Sequence, residues 1–468
     1  MRKSFRKAMA GIIVASMALT TAACGSSAST GKTESAKASE SASAAGSSAA
    51  ESAAAGTAAA GTTAAGTAAS GDKITGKTLK VMLSEEPGTE DALGNALKDW
   101  AAESGNEIKE IIVSNDDMLT KFPAMAKNKD LPDLISTTRL HQLYPDEFIL
   151  MKDVLDLSKF NDSALKIVGK SYTSDDITGI PNQYTTTCMY YNQDAFKAAG
   201  LEAPTVDKPW TWDELFANAK TLQEKGGVKY GFAADVSRAR YDIMMYANGG
   251  SLVVKDGDTF KVAVNSDTNV KTLETFVQAN NDVMPKAIWA GGTTDNPVEY
   301  FKNGDAGILL SGSWNYNTFT TDISKFQFSV MPTPKGTVSQ AAIIGGGALA
   351  IPKNAENTEL AKQFLQWLFT DKNYQAYAQR DKGPSVMNDI AYTPETDKAK
   401  ADFAVIQNEA NYVTDAYRTD ESSSWRTYKD NEYRDALKRA VAGEISAKEA
   451  LDGFAKELSE SSGWAMAN

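Results

Sequence analysis

Apolar and polar residues alternate along most of the chain in blocks that predict strands and helices in turn. The apolar run 78–83 has the length of a strand, and the segment 91–104 after it is typical of a helix. The alternation continues with a predicted strand over 107–113, a helix over 117–128 and a strand over 133–136. Strands that alternate with helices in this way are typical of α/β domains. From residue 73 onwards, the pattern therefore predicts an α/β fold.

Capping residues predict where two further helices begin. Thr211 and Glu214 form a capping box, as do Ser446 and Glu449, and each pair supplies hydrogen-bond partners for the first turn of a helix. The first of these helices is expected to end at Gly226-Gly227. Apolar runs predict further strands over 307–310, 326–331 and 349–351.

The first residues have the pattern of a secretory signal. Four basic residues precede an apolar run over 8–19, which suits a signal peptide and is too short to span a bilayer. The small residues before Cys24 resemble the bacterial lipobox, in which the cysteine is acylated, although Thr21 stands where Leu is usual. Residues 1–23 are therefore predicted to be a lipoprotein signal peptide with Cys24 as the lipidated residue. The alternative is an ordinary signal peptide with a cysteine nearby by chance.

Residues 24–72 consist almost entirely of Ser, Ala, Gly and Thr. This segment has no apolar periodicity and cannot bury a core, so we expect a flexible, solvated tether. No second apolar run approaches the length of a membrane span, so the lipid on Cys24 would be the sole anchor. The sequence thus predicts a globular domain held at the extracytoplasmic face of the bacterial cell membrane.

Composition excludes several classes of function. The chain has 48 basic and 60 acidic residues and a net charge of −12, which argues against a nucleic-acid partner. Only Cys188 remains after Cys24, so no intrachain disulfide is expected in the mature domain. A single histidine, His141, argues against most His-based catalysis and metal binding. No nucleophile elbow, zinc motif or phosphate loop is present, and we expect no cofactor.

A series of short motifs resembles one protein family. Their order and spacing are similar to those of the extracellular solute-binding proteins of carbohydrate ABC importers, the maltose-binding-like group. The resemblance covers nearly all of residues 73–468. The motifs are Gly179-Ile180-Pro181, Met189-Tyr190-Tyr191-Asn192, Pro209-Trp210-Thr211-Trp212, Asn248-Gly249-Gly250, Phe301-Lys302-Asn303-Gly304, Gly312-Ser313-Trp314, Gly345-Gly346-Gly347 and Ile351-Pro352-Lys353.

This resemblance implies a bilobal, periplasmic-binding-protein-like type II fold. Residues 73–183 and 346–383 would form the first lobe, and residues 184–345 and 384–468 the second. Three chain crossings would join the lobes as a hinge, at 179–184, 342–347 and 382–385. The implied function is that of a monomeric, non-enzymatic substrate-binding protein, which captures a carbohydrate between the lobes by hinge closure and delivers it to ABC permease subunits.

Trp314 is the foremost candidate for contact with the ligand. It follows a short predicted strand, and by resemblance its position supplies an indole that stacks on the apolar face of a sugar ring. A core tryptophan is the alternative. Thr185 stands where the maltose binder carries a carboxylate, which argues against maltose itself. The remaining candidates for ligand binding are Tyr184, Thr185, Gly346, Trp289, Arg240, Tyr241, Trp425, Glu86 and Arg139.

Two other classes of function remain open from the sequence. A sugar cleft with two suitably spaced carboxylates would be a glycosidase, and acidic residues are abundant here. A surface lipoprotein that acts as an adhesin is the other, although it would not need the crossing segments. Reversible sugar binding without cleavage would favour transport over both.

Overall fold

The computed structural model describes residues 73–467 except 90, 170, 171, 173, 174 and 424. The predicted signal peptide, Cys24 and the predicted tether lie outside the described residues. The strands are β1 (Thr78–Leu83), β2 (Glu107–Ile112), β3 (Leu134–Thr137), β4 (Ile180–Asn192), β5 (Tyr230–Ala234), β6 (Val253–Asp256), β7 (Thr259–Val262), β8 (Ala306–Gly312), β9 (Phe328–Met331), β10 (Ile344–Ala350) and β11 (Ala465–Met466).

The helices alternate with these strands over the first part of the chain and predominate after β10. They are α1 (Ala92–Ser104), α2 (Asn115–Asn128), α3 (Leu140–Leu143), α4 (Asp162–Ile167), α5 (Gln193–Ala199), α6 (Trp212–Lys225), α7 (Arg238–Ala247), α8 (Asp267–Asp282), α9 (Lys286–Trp289), α10 (Pro297–Lys302), α11 (Asn315–Asp322), α12 (Thr358–Leu368), α13 (Asp371–Asp381), α14 (Asp397–Glu409), α15 (Asp415–Ser422), α16 (Arg426–Ala442) and α17 (Ala447–Ser462). Short 3₁₀ turns cover Pro145–Glu147, Met151–Asp153, Leu157–Lys159 and Ala410–Tyr412.

Local sequence signals account for several of these boundaries. The side chain of Asp91 caps α1, and Gly105 ends it in the left-handed conformation that glycine adopts without strain. Both predicted capping boxes are confirmed, because Glu214 bonds back to Thr211 at the start of α6 and Glu449 to Ser446 at the start of α17.

One long mixed sheet runs through the molecule in the order β2-β1-β3-β10-β4-β8-β5, and β9 pairs with β4 on the edge opposite β8. The first half of β4 pairs antiparallel with β10, and its second half pairs antiparallel with β8 and β9. Because β4 continues from one half of the sheet into the other, it joins two separate α/β units. A small second sheet, β11-β7-β6, lies apart from it.

The two halves of the sheet bury separate cores, and they define two lobes. In the first lobe, successive residues of β1 face opposite sides, so that Val81 belongs to one core and Met82 to the other. In the second lobe, Met189 and Tyr190 of β4 likewise face opposite sides of the sheet and belong to different cores. Each lobe is therefore a sheet covered by helices on both faces, as strands with continuous apolar sequence require.

The chain passes between the lobes at β4, at β10 and once more before α14. Ile344 packs in the second lobe and Leu349 in the first, so β10 spans the division. Val386 and Met387 pack in the first lobe, where Met387 forms a bridge with Phe160. The last passage therefore follows residue 390, beyond the 382–385 segment and the boundary after residue 383 that the sequence suggested.

The glycine run is itself part of a strand. The sequence predicted a strand only over 349–351, after Gly345-Gly346-Gly347, whereas β10 begins at Ile344 and includes all three glycines. Glycine has a low strand propensity, so the local sequence does not predict a strand at these residues. Pairing on both edges, with β3 and with β4, supplies the missing stabilisation.

Two classes of feature are absent from the described part of the chain. None of the helices within residues 73–467 has both the length and the hydropathy needed to cross a membrane. The same residues contain no group of three or more His, Cys, Asp or Glu side chains arranged to hold a metal ion.

Candidate functional site

A cleft with a volume of about 1490 Å³ lies between the lobes. The first lobe lines it with the loop after β1, the residues after β3 and the end of α13. The second lobe contributes the start of α7, parts of α10 and α11, and one face of α16. β4 and β10 cross its floor. Loops after strand ends are where α/β sheets commonly bind ligands.

Trp314 presents its indole to this cleft. It lies two residues after the end of β8, lines the cleft and is 43% exposed, which is unusual for so large an apolar side chain. The ring lies against Gly312, where an added Cβ would sit 1.7 Å from a ring carbon. Gly312 therefore permits this ring position, and any larger residue would displace the indole.

Arg240 holds Trp314 from α7. Its guanidinium lies over the indole ring, 5.3 Å from the centroid, in a cation–π contact. Asp235 fixes Arg240 by accepting hydrogen bonds from Nε at 3.1 Å and Nη2 at 2.9 Å. The same carboxylate accepts a bond from Ser311 Oγ at 2.6 Å, which ties it to β8. This chain of contacts orients the indole before any ligand arrives.

An ion pair bridges the cleft between the two lobes. Arg139, in the turn after β3 of the first lobe, donates to Asp430 on α16 of the second lobe. Asp430 also accepts from Arg238 Nε at 3.1 Å. Burial alone would raise the pKa of Asp430, but Arg238, Arg139 and nearby Arg426 lower it well below its usual range. Asp430 is therefore a carboxylate under all physiological conditions.

Arg238 is the centre of a buried charge cluster at this end of the cleft. It also pairs with Asp242, one turn along α7, and with Glu421 at 3.7 Å. Its guanidinium lies over the ring of Trp425, 4.7 Å from the centroid. The guanidinium of Arg238 can pair with several carboxylates at once because it carries five N–H donors. The cluster joins α7, α15 and α16 into one wall.

The predicted site residues divide into three groups in the structure. Seven line the cleft, namely Glu86, Arg139, Thr185, Arg240, Trp314, Gly346 and Trp425. Trp425 does so with almost no exposed surface, because Arg238 covers its ring. Tyr184 is half-buried and packs against the cores of both lobes rather than lining the cleft.

Trp289 and Tyr241 lie in the core of the second lobe, contrary to their prediction as ligand contacts. The indole Nε1 of Trp289 donates to the carbonyl of Ala234 at 3.2 Å, and its ring packs edge-to-face on Phe276. The hydroxyl of Tyr241 donates to the carbonyl of Asn269 at 3.0 Å. Both side chains are fully buried, and their polar atoms are already paired.

Sequence reasoning missed several polar groups of the cleft. Asn182 and Tyr377 lie on its floor in the first lobe, beside Asp381 at the end of α13. Asp430 lies on α16, whose sequence is polar and shows no distinguishing motif. Asn182 lies within the predicted crossing 179–184, two residues before the candidate Tyr184, so its position in the crossing was the one available signal.

Comparison with known proteins gives consistent results. The model of the family described as bacterial extracellular solute-binding protein matches residues 86–375. The arabinooligosaccharide-binding protein of Bacillus subtilis (strain 168) is 28% identical over 252 residues, which cover 53% of this chain and 53% of that protein. The chain thus spans about half the length of this curated relative.

Solved structures show the same architecture. The structure of maltose-bound T. maritima MalE3 has a TM-score of 0.70 at 18% identity and covers 82% of this chain and 99% of its own. An ABC substrate-binding protein from Listeria monocytogenes, in complex with cycloalternan, has a TM-score of 0.67 at 17% identity, with 83% and 99% covered. The fold is therefore the bilobal, type II fold of periplasmic binding proteins, as expected from the sequence.

Proposed function

The chain belongs to the bacterial extracellular solute-binding protein family, and on that premise we propose that it captures a carbohydrate for an ABC importer. The ligand would bind in the cleft between the lobes. It would then pass to membrane permease subunits, which are the expected partners. The chain would act by reversible binding and not as an enzyme, since the relatives named above are binding proteins.

The exposed indole of Trp314 is the observation that carries this proposal. A sugar ring has an apolar C–H face and a rim of hydroxyl groups, so a sugar site needs a flat aromatic ring beside many polar groups. The cleft supplies both, because Trp314 is surrounded by side chains such as Asp235, Arg240 and Asn315. A cleft built for a purely apolar ligand would not need this polar rim.

Closure of the lobes on the ligand is the proposed binding motion. The lobes are joined at β4, β10 and the segment before α14, so rotation needs backbone changes at only a few residues. Closure would remove water from the sugar hydroxyls and strengthen their bonds to the protein. The ligand would thereby favour one of two populations, which a permease can distinguish by its surface.

Anchoring completes the proposed arrangement. The acylated Cys24 would hold the protein at the extracytoplasmic face of the membrane, and residues 25–72 would let the two lobes stand away from it. A monomer is sufficient for this role, because one chain supplies both walls of the cleft.

Titration with a panel of neutral oligosaccharides tests the proposed function. Isothermal calorimetry should show one tight site for at least one member of the panel, and chromatography of the recovered sugar should show no cleavage. Binding should raise the melting temperature by mass action. Cleavage products would favour the glycosidase alternative. A complete lack of binding would favour the adhesin alternative, and either outcome would overturn the proposal.

A further inference from the structure

Asn182 is an extra residue in the longest strand of the sheet. Across the antiparallel pairing of β4 and β10, Gln183 faces Gly347 and Pro181 faces Ala348, which leaves Asn182 without a partner. Such a β-bulge bends the strand and redirects a side chain, and bulges are frequent next to functional sites. Asn182 lines the floor of the cleft.

The amide of Asn182 is only half satisfied. Its Nδ2 donates to the hydroxyl oxygen of Tyr377 at 3.1 Å, whereas its Oδ1 has no hydrogen-bond partner among the described residues. Asn182 is 6% exposed, and an unpaired polar atom at such a depth is costly and uncommon. Exchanging the two amide atoms would leave a free donor instead of a free acceptor. In either orientation, one atom of the amide lacks a partner within the described residues, at a position that lines the cleft.

The opposite strand leaves room for this amide. A Cβ added at Gly347 would lie 3.2 Å from Asn182 Oδ1, which is tighter than an ordinary contact. Tyr377 is 3% exposed and also lines the cleft, and its O–H proton has no described acceptor. With the amide in the orientation described, the floor therefore offers an unused donor beside an unused acceptor, which matches the two roles of a hydroxyl group.

Two carboxyl groups give this floor a negative character. Asp381 lines the cleft and accepts a bond from Gln183 Nε2 at 3.2 Å. Burial, together with repulsion from Asp91, raises the pKa of Asp381 to about 6, although the bond from Gln183 opposes this. Asp91 also lines the cleft. An anionic ligand group would be repelled here, whereas a hydroxyl could donate to either carboxylate.

We propose that Asn182, Tyr377 and Asp381 form a subsite in the first lobe that binds an uncharged, hydroxyl-bearing end of the ligand. The subsite narrows the proposed function, on which it rests, to neutral sugars in preference to uronic acids and sugar phosphates. Asn182 is its main determinant of specificity. The cost of leaving its amide unpaired in the empty cleft is removed when a sugar hydroxyl binds.

The test compares binding with stability in matched variants. Calorimetry measures the affinity of the full chain for arabinotriose, galactotriose, maltotriose, mannotriose and the anionic trigalacturonate. Asn182→Leu replaces the amide by an apolar side chain of similar size, and Tyr377→Phe removes one oxygen. Asn192→Leu is the control, because Asn192 is equally buried on the same strand but caps α5 away from the cleft.

Asn182→Leu should weaken binding of the tightest neutral probe by roughly 10- to 100-fold. Its melting temperature without sugar should change little, because removal of the unpaired buried oxygen offsets the loss of the bond to Tyr377. Tyr377→Phe should also weaken binding, by about threefold or more. Asn192→Leu should lower the melting temperature through the lost cap and leave the affinity unchanged.

Each remaining result contradicts the subsite in a different way. Unchanged affinity in Asn182→Leu would overturn the subsite alone and leave the proposed function intact. Tightest binding of trigalacturonate would overturn the assignment of an uncharged ligand. If Asn182→Leu fails to fold, unchanged affinity in Tyr377→Phe would overturn the subsite. If no sugar binds to the unmodified chain, the proposed function fails and the subsite fails with it.

Discussion

At the residue scale, the same amino acid has opposite roles according to its surroundings. Trp314 and Trp289 both lie near glycines in the sequence, yet one is 43% exposed in the cleft and the other is 1% exposed in a core. The difference arises from neighbours distant in sequence. Arg240 holds the first ring at the cleft, whereas Phe276 and the carbonyl of Ala234 enclose the second.

Trp314→Ala should therefore weaken sugar binding by about 1–3 kcal/mol and leave folding largely intact. The exposed indole contributes little to the core, so the melting temperature without sugar should change slightly. Trp289→Ala is the matched comparison and should lower the free energy of unfolding by about 3–5 kcal/mol. Calorimetric titration and thermal unfolding measure both quantities. A Trp314→Ala protein that binds normally but unfolds early would assign Trp314 to the core.

At the element scale, the C-terminal helices are joined to the second lobe by buried carboxyl groups. Asp402 and Glu409 of α14 bond to the β9 region, and Asp420 of α15 accepts from the backbone of Leu252 and Val253. Glu409 is bonded twice by Thr333, through its amide and its hydroxyl. α14 and α15 follow β10, which is the last strand of the large sheet along the chain. These hydrogen bonds therefore attach the two helices to the second lobe.

Glu409 should make stability depend on pH. Burial raises its pKa to about 7, despite two hydrogen bonds from Thr333, so the folded protein retains a proton that the unfolded chain loses above pH 4.5. Its contribution to stability is present below pH 4.5 and is lost as the pH rises to 7. The nearby thiol of Cys188 stays neutral, because burial raises its pKa further above this range.

Glu409→Gln should remove this dependence. The free energy of unfolding of the unmodified protein, relative to the variant, should fall by about 3 kcal/mol between pH 4.5 and pH 7. Urea unfolding at several pH values measures the difference, and the comparison with the variant cancels the contributions of Asp381, Asp420 and His141. A constant difference across this range would show that Glu409 does not titrate there.

The glycines of β10 also have different roles within one strand. A Cβ at Gly346 would lie 2.2 Å from the carbonyl oxygen of Gln183, whereas one at Gly345 would meet only Thr185 Oγ1 at 3.4 Å. Gly346→Ala should therefore destabilise the protein by about 2 kcal/mol or more, and Gly345→Ala by less than about 1 kcal/mol. Thermal unfolding of the two variants compares them directly. Equal effects would mean that the strand shifts to accept the methyl group.

At the scale of the whole molecule, ion pairs and crossing strands set the relation of the two lobes. Arg139 and Asp430 join them across the cleft, as do hydrogen bonds from Arg418 to Tyr172 and from Lys382 to Thr320. If the proposed hinge motion occurs, such contacts would favour closure before a ligand is present. A ligand would then need to supply only the rest of the free-energy difference between the open and closed arrangements.

Arg139→Gln should accordingly open the molecule in the absence of sugar. Asp430 would keep its bond to Arg238, so the second lobe should stay intact. Small-angle scattering should show a larger radius of gyration than in the unmodified protein, and saturating sugar should reduce it. Arg380→Gln is the control, because Arg380 pairs with Asp99 inside the first lobe. Equal radii in all forms, with and without sugar, would argue against hinge closure.

Anchoring is also a property of the whole molecule. Cys24→Ser should release the protein from the membrane fraction or leave an uncleaved precursor, since the thiol that would carry the lipid is lost. Cell fractionation followed by detection of the protein measures this. Cys188→Ser is the matched control, because Cys188 is buried in the second lobe and should not affect location. Unchanged membrane association of the Cys24→Ser protein would contradict acylation at this position.

Features that depend on short segments of chain could be predicted from the sequence. β1 has the predicted bounds, and both capping boxes form, because periodicity and caps act over a few neighbouring residues. The family was also indicated by the order and spacing of short motifs, each of which is weak evidence when taken alone. The exposed position of Trp314 agreed with its placement just after a strand.

Which distant residues come into contact could not be predicted, because it depends on how the elements pack. The sequence could not show that β10 runs through its glycines, because the pairing that stabilises it comes from β3 and β4. It ranked Trp314 above Trp289 but could not exclude Trp289 as a ligand contact, since burial depends on packing between distant segments. The bulge at Asn182 and the pairing of Arg139 with Asp430 likewise arise where elements far apart in sequence come together. Contacts of this kind carry no local signal, so they appear only when the chain is folded.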